Sequence, residues 1–147
     1  MKKGLLRVLH VRRLLEERTS LELQARSAEL RRLEGAAEEQ RRLAAATRSD
    51  ALRQMLAEDA TDACLGMADA EIFSWKRRRM ETAAQKVSEE VVEVRERMRS
   101  RRVETKQAAA LVSEAEETEK REWNRREQQR LDDSFQSHSS PGSRHSR

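Results

Sequence analysis

Residues 80–115 read METAAQKVSEEVVEVRERMRSRRVETKQAAALVSEA, and this stretch decides the fold. Eleven positions at alternating steps of four and three carry the pattern, and nine of them are apolar. They are Met80, Ala84, Val87, Val91, Val94, Met98, Arg101, Thr105, Ala108, Val112 and Ala115. The positions between them are mostly Glu, Arg, Gln and Lys. This is the spacing of an a/d seam held over five heptads, and it predicts a long helix that packs on another helix.

The first half of the chain carries a looser version of the same pattern. Its seven-residue step runs through Leu23, Leu30, Leu33, Ala37, Ala44 and Ala51. Nearer the start the apolar face is broader and comprises Leu5, Val8, Leu9, Val11, Leu14 and Leu15. The first half therefore predicts the partner helix for the seam of the second half.

Residues 58–71 separate the two halves. This stretch holds five acids and no base. It also offers three residues of types that cap helix N-termini (Thr61, Asp62 and Asp69) and one glycine, Gly66, a residue type that ends helices. We therefore expect the one sharp reversal of the chain here.

Together these features predict an all-α fold, a long antiparallel two-helix coiled-coil hairpin over residues 1–135. Helix 1 is expected at about 5–58, the turn at about 59–68 and helix 2 at about 69–135. At 1.5 Å per residue each arm would be roughly 80–100 Å long. Alanine in the seam permits close approach but buries little area, so we expect modest stability. The serine-rich residues 136–147 are expected to form a disordered tail.

Composition excludes most other classes of protein. Of the 147 residues, 39% are charged, 3% are aromatic and one is proline, Pro141. So few aromatic and β-branched residues argue against any sheet fold, and the composition is typical of long helices. No apolar run reaches the roughly 18 residues of a membrane span, and basic residues interrupt the apolar stretch at the start. We therefore expect a cytoplasmic protein without a signal peptide.

The residue types that carry catalysis and metal binding are sparse. The lone cysteine, Cys64, has no second cysteine with which to form an intrachain disulfide or a paired-cysteine metal site. His10, His138 and His145 lie far apart in the sequence, and glycine is too rare for a phosphate-binding loop. We therefore predict that the chain is not an enzyme, with no catalytic residues, no cofactor and no metal site.

Three local features allow two interpretations each. The basic runs Lys76–Arg79 and Arg97–Arg102 fit nucleic-acid or acidic-protein contacts, but also solvated helix faces balanced by nearby glutamates. Residues 2–13 contain five bases and no acid, which suits either an anionic membrane surface or a helix end packed on a partner. Large apolar residues at the expected hairpin tip indicate either local packing or a docking patch; they are Ile72, Phe73 and Trp75.

Both ends of the chain resemble one known family. The opening, LLRVLHVRRLLEER at residues 5–18, resembles the start of the YscO/FliJ-like type III secretion proteins, where leucine and basic residues lead into an Arg-x-x-x-Glu-Arg type stretch. The segment NRREQQRLDDSFQ at residues 124–136 resembles their closing Arg-x-Glu-Gln-Lys-x-x-Asp-Glu-Phe pattern. Gln129 stands where lysine is usual, and Asp133 stands where glutamate is usual. The opening is more similar to the injectisome branch than to the flagellar one.

The resemblance implies a function that composition does not. Members of that family are coiled-coil stalks that associate with the hexameric secretion ATPase and link it to the cytoplasmic domain of the membrane export gate, and some bind export chaperones. The resemblance places two sets of residues toward the ATPase. They are Arg12, Arg13, Glu17 and Arg18 from the opening, and Arg126, Glu127, Arg130, Asp132 and Asp133 from the closing motif. The tip near Ile72, Phe73 and Trp75 would face the gate, and the protein would be cytoplasmic and peripheral at the inner-membrane apparatus.

Two other functions remain open on the sequence. A generic coiled-coil scaffold would share the helices but have no link to secretion. A nucleic-acid-binding coiled coil would use the basic runs Lys76–Arg79 and Arg97–Arg102, although the net charge of only +4 does not demand such a partner. The resemblance favours the secretion stalk, with no small-molecule substrate and with membrane contact only through partners.

Overall fold

The structure, a computed structural model, describes residues 2–139. Within that range there are two helices, α1 (Lys2–Leu56) and α2 (Ala60–Ser139), and no strand. The two helices pack against each other, which confirms the all-α, two-helix coiled-coil class that the heptads predict. All eleven positions of the seam in residues 80–115 are buried or half-buried.

The chain divides into two compact units. One, the turn unit, comprises Leu15–Arg102, and the other, the terminal unit, comprises Met1–Leu14 with Val103–Arg147. Each unit contains a portion of both helices.

The turn unit has a seam of small residues that gives way to larger ones. Its buried apolar residues are Leu33, Ala37, Ala44 and Ala51 on α1, and Ala63, Ala70, Ala84, Val91, Val94 and Met98 on α2. Arg26 contacts Glu90 at 2.6 Å, and Arg48 donates to the Ser74 hydroxyl at 2.9 Å. Arg48 comes after Arg26 on α1, whereas its partner Ser74 comes before Glu90 on α2. The helices of this unit are therefore antiparallel.

The terminal unit is held by a smaller cluster. Leu9, Ala108 and Val112 are buried together, with the half-buried Leu5 and Ala109 packed against them.

Ion pairs between the helices border this cluster. The Arg12 guanidinium lies 2.7 Å from Glu104, and the Lys2 amine lies 3.1 Å from Glu119. The earlier residue on α1, Lys2, thus pairs with the later residue on α2, Glu119. The two helices of the terminal unit are therefore also antiparallel.

The reversal is shorter than predicted. The predicted turn at 59–68 is wrong in extent, because within residues 2–139 only residues 57–59 lie outside the helices. Glu58 has φ of 64°, its N–H donates to the Met55 carbonyl at 3.2 Å, and the Asp59 N–H donates to the Gln54 carbonyl at 2.9 Å. These two bonds form a Schellman motif, with Glu58 in the left-handed position that usually holds glycine.

Asp59 also starts the next helix. Its carboxylate accepts a hydrogen bond from the Asp62 backbone N–H at 3.4 Å, which is the N-cap arrangement. The N-cap of α2 is therefore Asp59, and the three candidates expected from the sequence, Thr61, Asp62 and Asp69, lie inside the helix.

Gly66 does not end a helix, contrary to prediction. It lies in the second turn of α2, and a Cβ atom built on it would sit 3.0 Å from the Cβ of Ala51. Its lack of a side chain therefore serves close approach of the helices, not a left-handed backbone.

The predicted outer boundaries of the helices also need correction. α1 begins at Lys2, not near residue 5, and ends at Leu56, not near 58. α2 begins at Ala60 and continues to Ser139, so residues 136–139, expected in the disordered tail, are helical. Residues 140–147 of that expected tail lie outside the described residues.

Candidate interaction surfaces

The residues of the opening motif fall on α1 in both units. In the terminal unit, Arg12 is half-buried between the helices, where its side chain pairs with Glu104 and its carbonyl accepts from the Thr105 hydroxyl at 3.4 Å. Arg13, in the same unit, is exposed. In the turn unit, Glu17 and Arg18 are exposed. Arg12 thus has a structural contact, whereas the other three side chains are available to a partner.

The residues of the closing motif lie on α2 in the terminal unit. Arg126, Arg130, Asp132 and Asp133 are exposed, and Glu127 is half-buried. The Arg130 guanidinium lies 2.8 Å from Glu127, and the Gln128 amide donates to Asp132 at 3.3 Å. These contacts are local to one helix face, so the motif is displayed on the surface and does not form the packing between helices.

The same part of α2 exposes large apolar side chains. From residue 116 to 139 only Glu127 is even half-buried. Trp123, Leu131 and Phe135 are 64%, 56% and 77% exposed. Trp123 and Phe135 stand out in an aromatic-poor sequence, but their exposure depends on α2 continuing past Glu119, the partner of Lys2. Predicting that extension needs the exact position of the turn, which lies closer to the chain start than the sequence predicts.

Ile72, Phe73 and Trp75 do not lie at the turn itself. Since α2 begins at Ala60, they follow three to four helical turns later. Ile72 and Trp75 are exposed and Phe73 is half-buried. The Arg79 guanidinium stacks over the Trp75 ring at 4.9 Å, and the Lys76 amine lies 6.0 Å from the Phe73 ring centre. Basic side chains thus cover part of this apolar surface through cation–π contacts.

Two further apolar residues extend this surface toward the turn. Leu65 is 61% exposed, and Ala68 is exposed one helical turn after it. Leu65 and Ala68 fall within the predicted turn, yet the steps from Leu65 through Ala68 and Ile72 to Trp75 follow the three-and-four spacing that identifies a seam.

Acidic residues cluster where α2 begins. The pKa of the Asp62 carboxyl is raised, first because the Asp59 carboxyl hydrogen-bonds to it, and second because the Asp59 charge disfavours another negative charge nearby. In the middle of α1, the Arg32 guanidinium donates to Glu29 at 2.6 Å and lowers the pKa of that carboxyl. Both sites are at the surface, so they tune local stability and do not form a buried acid–base pair.

The basic run Arg97–Arg102 is largely engaged within the turn unit. Arg97 pairs with Glu22 at 3.2 Å, and Arg99 pairs with Glu96 at 2.8 Å. Arg101 occupies a half-buried seam position. These contacts fit the interpretation of the run as a balanced helix face better than that of a free basic stripe.

The grooves of the structure are shallow. One in the turn unit has a volume of about 280 Å³ where Ala37 faces Ala84, and acidic side chains with Arg41 border it. Among residues 2–139 no group of three or more His, Cys, Asp or Glu residues is arranged to hold a metal ion. No helix in that range is long and apolar enough to cross a membrane. The chemistry that these surfaces offer is that of protein contacts: exposed charges beside aromatic and aliphatic side chains.

In comparisons with known proteins, no family model, no curated protein and no solved structure matches this chain.

Proposed function

We propose that this chain is a non-enzymatic stalk of a type III secretion system that associates with the hexameric export ATPase and links it to the export gate. The observation that carries the proposal is the display of the closing motif on exposed α2 beside Trp123, Leu131 and Phe135. Residues held in the seam would be explained by folding alone, whereas these contribute little to the packing and are available to a partner.

The charges of this surface suit a loose fit in a ring. Arg126 and Arg130 lie in the same stretch as Asp132 and Asp133, so the surface presents both signs. Exposed ion pairs contribute about 0–1 kcal/mol each. Many such contacts would hold an asymmetric stalk against six similar subunits without fixing it to one of them. By the same proposal, Ile72, Phe73 and Trp75 contact the gate, and an export chaperone is a further partner.

The test is ATP hydrolysis by the cognate secretion ATPase, measured with and without the full chain at physiological salt. We expect the chain to raise the hydrolysis rate and the fraction of hexamer. The double variant Arg126→Glu/Arg130→Glu should reduce this stimulation severalfold, because it reverses two exposed charges of the closing motif.

A matched control reverses the same charges elsewhere. Arg41 and Arg42 are exposed in the turn unit and pair locally with Glu38, as Arg130 pairs locally with Glu127. Arg41→Glu/Arg42→Glu should stimulate as the unaltered chain does. Full stimulation by the Arg126→Glu/Arg130→Glu variant would refute the site, and no binding by a helical, folded sample would refute the stalk function and leave a coiled-coil scaffold of another kind.

A further inference from the structure

α2 carries a second heptad seam, on the side turned away from α1. It comprises six residues at alternating steps of three and four: Leu65, Ala68, Ile72, Trp75, Arg79 and Thr82. Each residue of a helix turns by about 100°, which places Ile72 about 200° from the buried Ala70. The position of Arg79 over the Trp75 ring shows that these two residues share one face, and the steps of three and four place the other four on it. We define these six residues as the outer seam.

The outer seam is apolar where it is closest to the turn and lacks a partner helix within the described chain. Leu65, Ile72 and Trp75 are 61%, 51% and 50% exposed, and Ala68 between them is also exposed. Isolated exposed apolar residues are ordinary, but a row at heptad spacing is the feature by which helices pair.

The charges beside the outer seam change sign along it. Residues 58–71 hold five acids and no base, whereas residues 76–79 are all basic. In heptad positions, Asp69 and Lys76 both flank one side of the seam as e residues, and Glu71 and Arg78 both flank the other side as g residues. Each flank is therefore acidic toward the turn and basic away from it.

We propose that the outer seam binds a second copy of this chain in antiparallel orientation. In such a pair, e residues face e residues and g residues face g residues. With Ile72 of each copy opposite Trp75 of the other, Asp69 faces Lys76 and Glu71 faces Arg78, and the twofold axis repeats both pairs. The interface is self-complementary, as a symmetric dimer requires.

The same register fits the shape of the surface. It sets Leu65 of one copy opposite Thr82 of the other, and Ala68 opposite Arg79. A shallow groove of about 490 Å³ lies there, lined by Trp75, Arg78, Arg79, Thr82, Ala83 and Lys86. The small side chain of Ala68 leaves room for the guanidinium that covers Trp75.

The paired segments are short, which sets the strength of the dimer. Residues 65–82 span about 27 Å of helix. Such a contact falls at or below the low end of specific interfaces, about 1,200 Å² in total, so we expect a dissociation constant of order 10–100 µM. The inference does not depend on the proposed secretion function. A dimer would cover Ile72 and Trp75, so it would have to dissociate before these residues could contact an export gate.

The experiment is sedimentation velocity of the full chain carrying Cys64→Ser, from about 1 to 300 µM, which brackets the expected constant. Cys64 is exposed, and its removal excludes disulfide-linked dimers. We expect a concentration-dependent dimer that Ile72→Ala/Trp75→Ala weakens at least tenfold. Trp123→Ala removes a tryptophan that is more exposed than Trp75 but lies outside the outer seam, and it should leave the dimer unchanged. A monomer throughout the range, or a dimer sensitive to Trp123→Ala but not to Ile72→Ala/Trp75→Ala, would overturn the proposal.

Charge exchange tests the orientation without altering the apolar residues. Glu71→Lys alone and Arg78→Glu alone should each weaken the dimer, and the double variant Glu71→Lys/Arg78→Glu should restore it, because the two g residues then attract again with exchanged signs. The control Glu71→Lys/Lys76→Glu has the same net charge. It sets like charges opposite each other on both flanks, so its dimer should remain weak. Restoration by the control and not by the g-position exchange would refute the antiparallel pairing.

Discussion

A Cβ atom on Gly66 would lie 3.0 Å from the Cβ of Ala51 and 3.6 Å from its Cα, so α2 passes α1 at this level with no room for a methyl group. Ala51 is fully buried, and Ala63 and Ala70, which are buried on α2, are equally small. Next to the turn, the two helices are therefore held by close approach of their backbones. Dispersion contacts between closely packed atoms there stabilise the pair in place of the apolar area that leucine would bury.

Gly66→Ala should lower the free energy of unfolding by about 1 kcal/mol. The gain in helix propensity, about 1 kcal/mol, is outweighed by the cost of overpacking, about 1–3 kcal/mol. The atom that must yield is the Cβ of Ala51, which is bonded directly to the backbone and cannot rotate aside. Urea unfolding followed by circular dichroism measures the change.

Gly35→Ala provides the control for that experiment. Gly35 is also within a helix, but a Cβ there would have no atom within 4 Å. This variant should therefore raise the free energy of unfolding by about 1 kcal/mol, the full difference in helix propensity. Equal stabilisation by both substitutions would contradict the close approach at Gly66.

Glu58→Gly should stabilise the protein by about 1 kcal/mol. Glu58 is held at φ of 64° in the Schellman motif, a conformation that costs a residue with a side chain roughly 1 kcal/mol or more and costs glycine little. Part of the gain is offset by the greater freedom of glycine in the unfolded chain. Thermal unfolding would measure the shift in Tm; an unchanged or lowered Tm would argue against the left-handed conformation.

The sequence predicted the class of fold because its pattern is regular where packing is regular. The steps of three and four from Met80 to Ala115 determine which face of α2 is buried, and that face is buried in the structure. The predicted position of the turn is wrong for two reasons. Glycine near the middle of the chain favours a helix end there, but Gly66 lies within α2. The observed end of α1 instead has a glutamate, Glu58, in the left-handed conformation. Gly66 and Glu58 are each atypical of their position, and only the spatial relationship to Ala51 explains the glycine.

The candidate surfaces were predicted less completely, for a related reason. Resemblance alone predicts the closing motif, whereas the exposure of Leu131 follows from the packing of α2 in the structure. The sequence does not predict the outer seam, because Leu65 and Ala68 fall within the predicted turn. Once the turn is confined to residues 57–59, the same residues continue a heptad pattern along α2.

Val94→Ala should lower the free energy of unfolding by about 2 kcal/mol. Val94 is 2% exposed in the seam, so the substitution leaves a cavity that the rigid helices fill only partly. Val92, two residues earlier, is 56% exposed, and Val92→Ala should raise stability by a few tenths of a kcal/mol, because alanine is the better helix former. Chemical denaturation compares the two, and similar effects would contradict the assigned seam.

Duplex DNA should bind this chain only weakly. Arg97 and Arg99 are paired with glutamates, so they offer little uncompensated charge to phosphates. At physiological salt we expect a dissociation constant above about 1 µM, in the range of non-specific binding. Fluorescence anisotropy with a labelled duplex at low and physiological salt provides the measurement. Submicromolar binding that weakens steeply with added salt would instead support the nucleic-acid function.

Stability should respond to pH at the start of α2 in a direction set by Asp62. The pKa of Asp62 is raised in the folded protein, so folding favours its protonated form. Its stabilising contribution is then fully present below the unfolded pKa and is lost as the pH rises through the folded pKa. At neutral pH the charges of Asp59 and Asp62 oppose each other, and Asp62→Asn should therefore be more stable than the unaltered chain. That advantage should disappear below about pH 3, where the Asp62 carboxyl is protonated in both the folded and the unfolded chain. Urea unfolding at both pH values tests this prediction. Glu29→Gln is the control of opposite sign. Because Arg32 lowers the pKa of Glu29, replacing Glu29 should destabilise the protein at neutral pH and should have no effect in acid.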